Sequence, residues 1–235
     1  MAKAKGEVAR QRTFGFTRVA RKGKKLGRKK SEESGVSHAK RPVLKEHVPM
    51  HITLKLLPGL KSLRGRAEFL MVVDAVRSTN KLGLVRIVHF SVQGDHIHMI
   101  CEAASNDAMA KGMNGFTIRV ARGFNRVTGR EGQVFADRYH RKDCASPRQV
   151  RNAIRYVFAN VFKHLSNLRQ VMGMDGRPGP DPFSSGTWFG GWKEGSFRNS
   201  FWPDVEDPTV AARSWVLGVG WWDKHELLSL EDRTA

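Results

Sequence analysis

The chain has 235 residues, 40% of them hydrophobic, enough for one domain of ordinary size with extensions. Its formal net charge is +19, and residues 1–45 hold 15 Lys/Arg against 3 Asp/Glu, or +12 of that total. No stretch approaches the ~18 apolar residues of a spanning helix, and Met1–Arg12 is not followed by the apolar run of a secretory signal. No membrane partner is therefore expected, and the protein is read as cytoplasmic.

Residues 1–45 read as a basic disordered arm, rich in Lys, Arg, Gly and Ser and without apolar periodicity. One-signed, clustered charge of this kind suits a polyanion, because each cation placed on a phosphate releases a condensed counterion. The ordered part is expected to begin near His47. His51–Leu57 alternates as a strand and is ended by Pro58-Gly59. Arg64–Leu82 has a helical period, with Phe69, Leu70, Val73 and Val76 near one face. Arg86–Val92 and His96–Glu102 read as two strands of a hairpin around Gln93-Gly94-Asp95. Asn106–Arg126 reads as a second helix, and Val134–His140 as a fourth short strand. Ser146-Pro147 then opens a third helix, running to about Leu165, with Ser as N-cap and Pro as first helical residue.

The order β-α-β-β-α-β, followed by a helix, predicts an α+β chain of the ferredoxin-like split βαβ type. An antiparallel sheet would carry helices on one face and leave the other open for a ligand. Residues 46–165 would form this domain. Residues 166–235 would be a Trp-rich C-terminal extension, since they hold all six tryptophans. The tryptophans are read as anchors of a small satellite core rather than as base-stacking rings. Within the extension, Val210–Val219 reads as one short helix. Cys101 and Cys144 have no metal-site spacing and are expected to be reduced thiols.

Two constellations carry chemistry. On the third strand, His96 and His98 point to one face, about 6.6 Å apart along the strand, while Ile97 and Met99 face the helices. Two imidazoles so placed can converge on one ion, or can be surface histidines satisfied by water. On the third helix, Val150, Ile154, Val157 and Val161, with Phe158 and Phe162 at the edges, form an apolar stripe. Tyr156 falls off that stripe, and Asn160 lies one turn later on the same polar flank. Tyr156 is thus a candidate nucleophile or an exposed ring covering its neighbours. Asp95 is read as a turn residue rather than as an orienter of a histidine. His51 and His89 have no partner spacing that recommends them as ligands. Tyr139 sits in the fourth strand, where Arg138, Arg141 and Lys142 suggest a phosphate-contacting edge.

The joint order of these motifs resembles the HUH-class single-tyrosine transposases, most of all the REP-associated tyrosine transposases and related insertion-sequence transposases. The resemblance is carried by His51-Ile52-Thr53, by Phe90–Ile100 with its His96-Ile97-His98, by Val134–His140, and by Arg155–Asn160. It covers about residues 47–165. It implies that His96, His98 and Asn160 bind Mg²⁺ or Mn²⁺. It implies that Tyr156 attacks the scissile phosphate of single-stranded or hairpin DNA and leaves a 5′-phosphotyrosine link. It also admits a homodimer, in which the nucleophile helix serves either chain. The competing reading is a non-catalytic nucleic-acid-binding module, since RNA-binding domains share the ferredoxin-like sheet. Against it, Phe90 and two histidines make a thin stacking platform.

Overall fold

The computed structural model describes residues 41–45, 47–159, 179–197 and 201–232. The chain divides into two units, Met1–Gly35 and Val36–Ala235, and every described residue lies in the second. The elements before residue 160 are β1 (Met50–Lys55), α1 (Arg66–Leu82), β2 (Arg86–Val92), β3 (His96–Glu102), α2 (Asn106–Thr128), β4 (His140–Asp143) and α3, described over Pro147–Ala159. The strands form one antiparallel sheet in the order β2-β3-β1-β4. β1 and β2 therefore run parallel with β3 between them, which is the expected split βαβ arrangement of an α+β chain. No helix among the described residues is long and apolar enough to cross a membrane.

Helix ends fall where their residues dictate. α2 starts at Ser105, whose Oγ accepts from the Ala108 N–H at 3.1 Å, and ends at Gly129 with φ 65°. α1 ends in the same way at Gly83, φ 73°. Both helices turn an apolar stripe to the sheet. Phe69, Val72, Val73 and Val76 of α1 and Met109, Met113, Phe116, Val120 and Phe124 of α2 are buried there. They meet Ile52 and Leu54 of β1, Phe90 and Val92 of β2, and Ile97 and Met99 of β3. Fully burying each such side chain contributes about 1.5–3 kcal/mol.

The second face of the sheet, expected to be open for a ligand, is largely covered. Val88, Ile100 and Cys144 on that side pack with Val150, Ile154, Val157 and Phe158 of α3 and with Phe189, Trp192, Leu217, Trp221 and Leu228 of the C-terminal segment. Four of the six tryptophans serve the cores: Trp192, Trp202 and Trp221 are buried and Trp188 packs against the first core, whereas Trp215 and Trp222 are exposed. Both cysteines are buried free thiols, and burial raises the pKa of each.

Three segments depart from the sequence reading. The body begins before His47: Leu44 is in the first core, and Arg41 donates to Tyr139 O at 2.7 Å with its guanidinium 3.8 Å over the Tyr139 ring. The fourth strand is broken. Phe135 bridges Leu56, then the chain bends over 136–138, and His140–Asp143 pairs with Met50–Thr53. Tyr139 turns into the core at this bend, which explains why a continuous strand over 134–140 cannot form. The short helix expected at Val210–Val219 is displaced. A π-helical turn, Val216–Gly220, runs into α4 (Trp221–Asp223). Its start is set by the buried Glu102 of β3, whose carboxylate accepts from the Arg213 N–H at 2.7 Å, the Ser214 N–H at 3.0 Å and the Ser214 Oγ–H at 2.6 Å.

The C-terminal segment also closes the β2 edge. The Val92 N–H donates to Phe183 O at 2.8 Å, the Phe90 N–H donates to Ser185 Oγ at 2.9 Å, and Ser91 bridges Ser184. Asp181, fully buried, anchors this strip through a two-pronged ion pair with Arg64 at 2.8 Å on both oxygens.

Candidate functional site

Strand alternation and register decide which side chains meet on the second face. Opposed residues of an antiparallel pair share a face. His98 opposes Thr53 and Ser91, His96 opposes Lys55, and His51 opposes Lys142. His96, His98, His51, His140 and Lys142 therefore share the face that α3 crosses, while Ile97 and Met99 enter the helix-side core as expected.

The His96 and His98 rings lie 4.6 Å apart, nearly perpendicular at 83°. The Nδ1 side of each is engaged. His96 Nδ1 lies 2.7 Å from Asp95 Oδ1. A carboxylate only accepts, so Nδ1 carries the proton there and donates. Burial opposes ionisation of Asp95, but the hydrogen bond to His96, the charges of His96 and Lys55 and a backbone hydrogen bond together outweigh it, and its pKa is lowered. Asp95 thus orients a histidine as well as closing the turn. His98 Nδ1 lies 3.1 Å from Thr53 Oγ1 and 3.2 Å from His51 Nε2. His98 itself is buried.

Tyr156 reaches the same place from α3. Its ring stands edge-on to His98 at 5.1 Å and to His51 at 5.4 Å. It is half-buried, off the buried stripe of Val150, Ile154 and Val157, as its spacing predicts. His51 is the residue that sequence reasoning passed over. Desolvation lowers its pKa to about 4, with further lowering by the charges of His140 and Lys142, so it is a neutral imidazole at pH 7. Only the β1–β3 register brings it to His98. The signal available was its place on a strand that alternates His51, Thr53 and Lys55 on one face.

The other proposed residues divide. Lys142 is exposed and faces the site from β4, as does His140. Arg141 points to the opposite face. Its guanidinium is held by Asp143 at 2.6 and 2.9 Å and by Asn106 at 2.6 Å, and its side chain is 4% exposed. It braces the β4 edge against α2. Arg138 is half-buried in the bend before β4, and Tyr139 lies in the first core, away from the histidines. His89 stands edge-on to Phe158 and Phe189 in the second core. Asn160 lies outside the described residues. Among the described residues, no group of three or more His, Cys, Asp or Glu is arranged to hold a metal ion.

No family model matches the chain, and neither does any curated protein. Among solved structures, it aligns with one of a REP-associated tyrosine transposase bound to a REP hairpin. The identity is 17% and the TM-score 0.45, over 55% of this chain and 74% of that one.

Proposed function

We propose that the protein cleaves and rejoins single-stranded DNA in the cytoplasm, with Tyr156 as nucleophile, in the manner of the HUH single-tyrosine transposases its motifs resemble. The observation that carries this reading is the meeting of Tyr156 with His98 and His51, beside a His96–His98 pair held from its Nδ1 side.

His96 and His98 are the residues that would hold Mg²⁺ or Mn²⁺, with Asn160 as the third ligand implied by the resemblance. The donor set fits such an ion: divalent metals accept imidazole nitrogen, Nδ1 of each ring is engaged, and few protein ligands leave positions for phosphate oxygens. When bound, the ion supplies charge that polarises the phosphate. The chain's own residues do the rest. Lys142 and His140 line the approach for the phosphate backbone, and the basic arm adds sequence-independent affinity for hairpin or single-stranded DNA. The Tyr156 oxygen bonds to phosphorus as the P–O3′ bond breaks, giving a 5′-phosphotyrosine and a free 3′-hydroxyl. Attack by another 3′-hydroxyl reverses the step and rejoins the strands. A homodimer would let α3 serve its own chain or a partner.

The test is incubation with Mn²⁺ and a pool of labelled hairpin DNAs of varied flanks, followed by denaturing gel and peptide mass spectrometry. A covalent adduct on Tyr156 is expected. Tyr156→Phe should lose the adduct and keep nearly all DNA binding, because only the hydroxyl is removed. An adduct that persists in that variant overturns the assignment. His96→Ala with His98→Ala should abolish cleavage beyond rescue by excess Mg²⁺, and unchanged activity there removes the histidine pair from the reading. The second reading is a non-catalytic binding module. Tight binding across the pool with no adduct would select it.

A further inference from the structure

Helix α3 bears a second polar face on the flank of Tyr156. Arg148, Arg151, Asn152 and Arg155 recur at three- and four-residue spacings. With His225 and Glu226 they line an open groove of about 610 Å³. Two groups in it are already engaged. Arg151 donates from Nε to Glu226 O at 3.1 Å and also pairs with Asp232 at 3.2 Å. The Glu226 carboxylate pairs with Lys193.

Arg148 and Arg155 differ. Arg148 is exposed and makes no ion pair among the described residues. The Arg155 Nε is buried and donates to no group among them. A guanidinium N–H without an acceptor is unfavourable, and the Arg155 side chain gains by turning its fork to ligand oxygens in the groove. Phosphate suits the planar fork of arginine best, since it can accept two parallel hydrogen bonds. Seven residues along a helix separate the two arginines by about 10 Å, within reach of nearby phosphates on one extended strand. Asn152 lies one turn before Tyr156, so a strand in this groove would pass the nucleophile's flank.

We propose that this groove binds backbone phosphates of the single strand beside the cleavage point, on Arg148 and Arg155. The proposal rests on the tyrosine-nucleophile reading. Full-length protein, with divalent metal chelated, is titrated by fluorescence anisotropy against a labelled single strand and its duplex across a series of salt concentrations. Each phosphate contact on a single strand contributes about −0.7 to the slope of log K against log salt. Arg148→Gln with Arg155→Gln should therefore reduce the single-strand slope by about 1.4, and Arg148→Gln alone by about 0.7. The single variant alters only an exposed side chain, so loss of fold cannot account for its effect. An unchanged slope in Arg148→Gln overturns the proposal, as does a change seen with duplex alone. If the slope holds while wild-type protein still forms the Tyr156 adduct, the groove fails and the cleavage reading stands. If the slope falls in a chain that forms no adduct, the groove stands as a phosphate site and the cleavage reading fails.

Discussion

His89 and His51 occupy the same sheet face and have different surroundings. His51 meets polar groups, whereas His89 stands 5.4 Å from the Phe158 ring and 5.2 Å from the Phe189 ring. Desolvation lowers the His89 pKa from 6.5 to about 3. Below pH 6.5 the unfolded chain binds a proton at His89 that the folded chain refuses, so stability present above 6.5 is lost as pH falls through about 3. The slope from one such group reaches about 1.4 kcal/mol per pH unit. Urea denaturation across this window should show a flatter acid limb in His89→Leu than in wild type. Parallel curves would mean that His89 is solvated. Individual residues were legible where one element sufficed. Period-2 alternation put His96 and His98 together, and 100° steps put Tyr156 off the apolar stripe. His51 was hidden because its partner comes from another strand. Arg141 was grouped with Lys142 because adjacent residues of an edge strand look alike until the register assigns their faces.

Among elements, α2 shows how closely two neighbours approach. A Cβ at Gly112 would lie 2.4 Å from Val85 Cγ2 and 3.0 Å from Val85 Cβ. Val85 is fully buried and has nowhere to move. At Gly115 the nearest atom is Arg119 NH1 at 3.0 Å, the far end of a flexible side chain. Gly115→Ala should raise the melting temperature, with up to about 1 kcal/mol gained from helix propensity. Gly112→Ala should lower it, since overpacking costs about 1–3 kcal/mol. Melts that shift in the same direction would show that Val85 gives way. The element order was readable because long amphipathic helices and alternating strands carry strong periods. The β4 break and the displaced C-terminal helix were not. One depends on Tyr139 leaving the strand for the core, the other on a cap supplied by Glu102 more than 100 residues away.

Across the whole molecule, a buried ion pair reinforces the attachment of the extension to the body. Arg64 and Asp181 have side chains 14% and 0% exposed, and Arg64 also donates to Val92 O at 3.0 Å and lies 4.3 Å over Phe183. Asp181→Ala would leave that guanidinium largely desolvated and unpaired, at a cost of roughly 3–5 kcal/mol. The urea midpoint should fall accordingly, and proteolysis should begin in the residues around 181. A loss under about 1 kcal/mol would put this pair among ordinary surface pairs. Composition alone marked residues 166–235 as different. It did not show that they finish both cores of the sheet, because that needs contacts between segments far apart in sequence.

The strip from Phe183 to Ser185 has a consequence for handling the protein. Without it, the amides of Phe90 and Val92 would face water on an outer strand rich in Ile, Val and Phe, the kind of surface that recruits strands from other chains into aggregates. β4, at the other margin, is only four residues long and reads His-Arg-Lys-Asp, a charged border that discourages such recruitment. A fragment ending at α3 would keep the guarded margin and uncover the unguarded one. It should accumulate as insoluble material, so a minimal soluble version must retain residues 179–197.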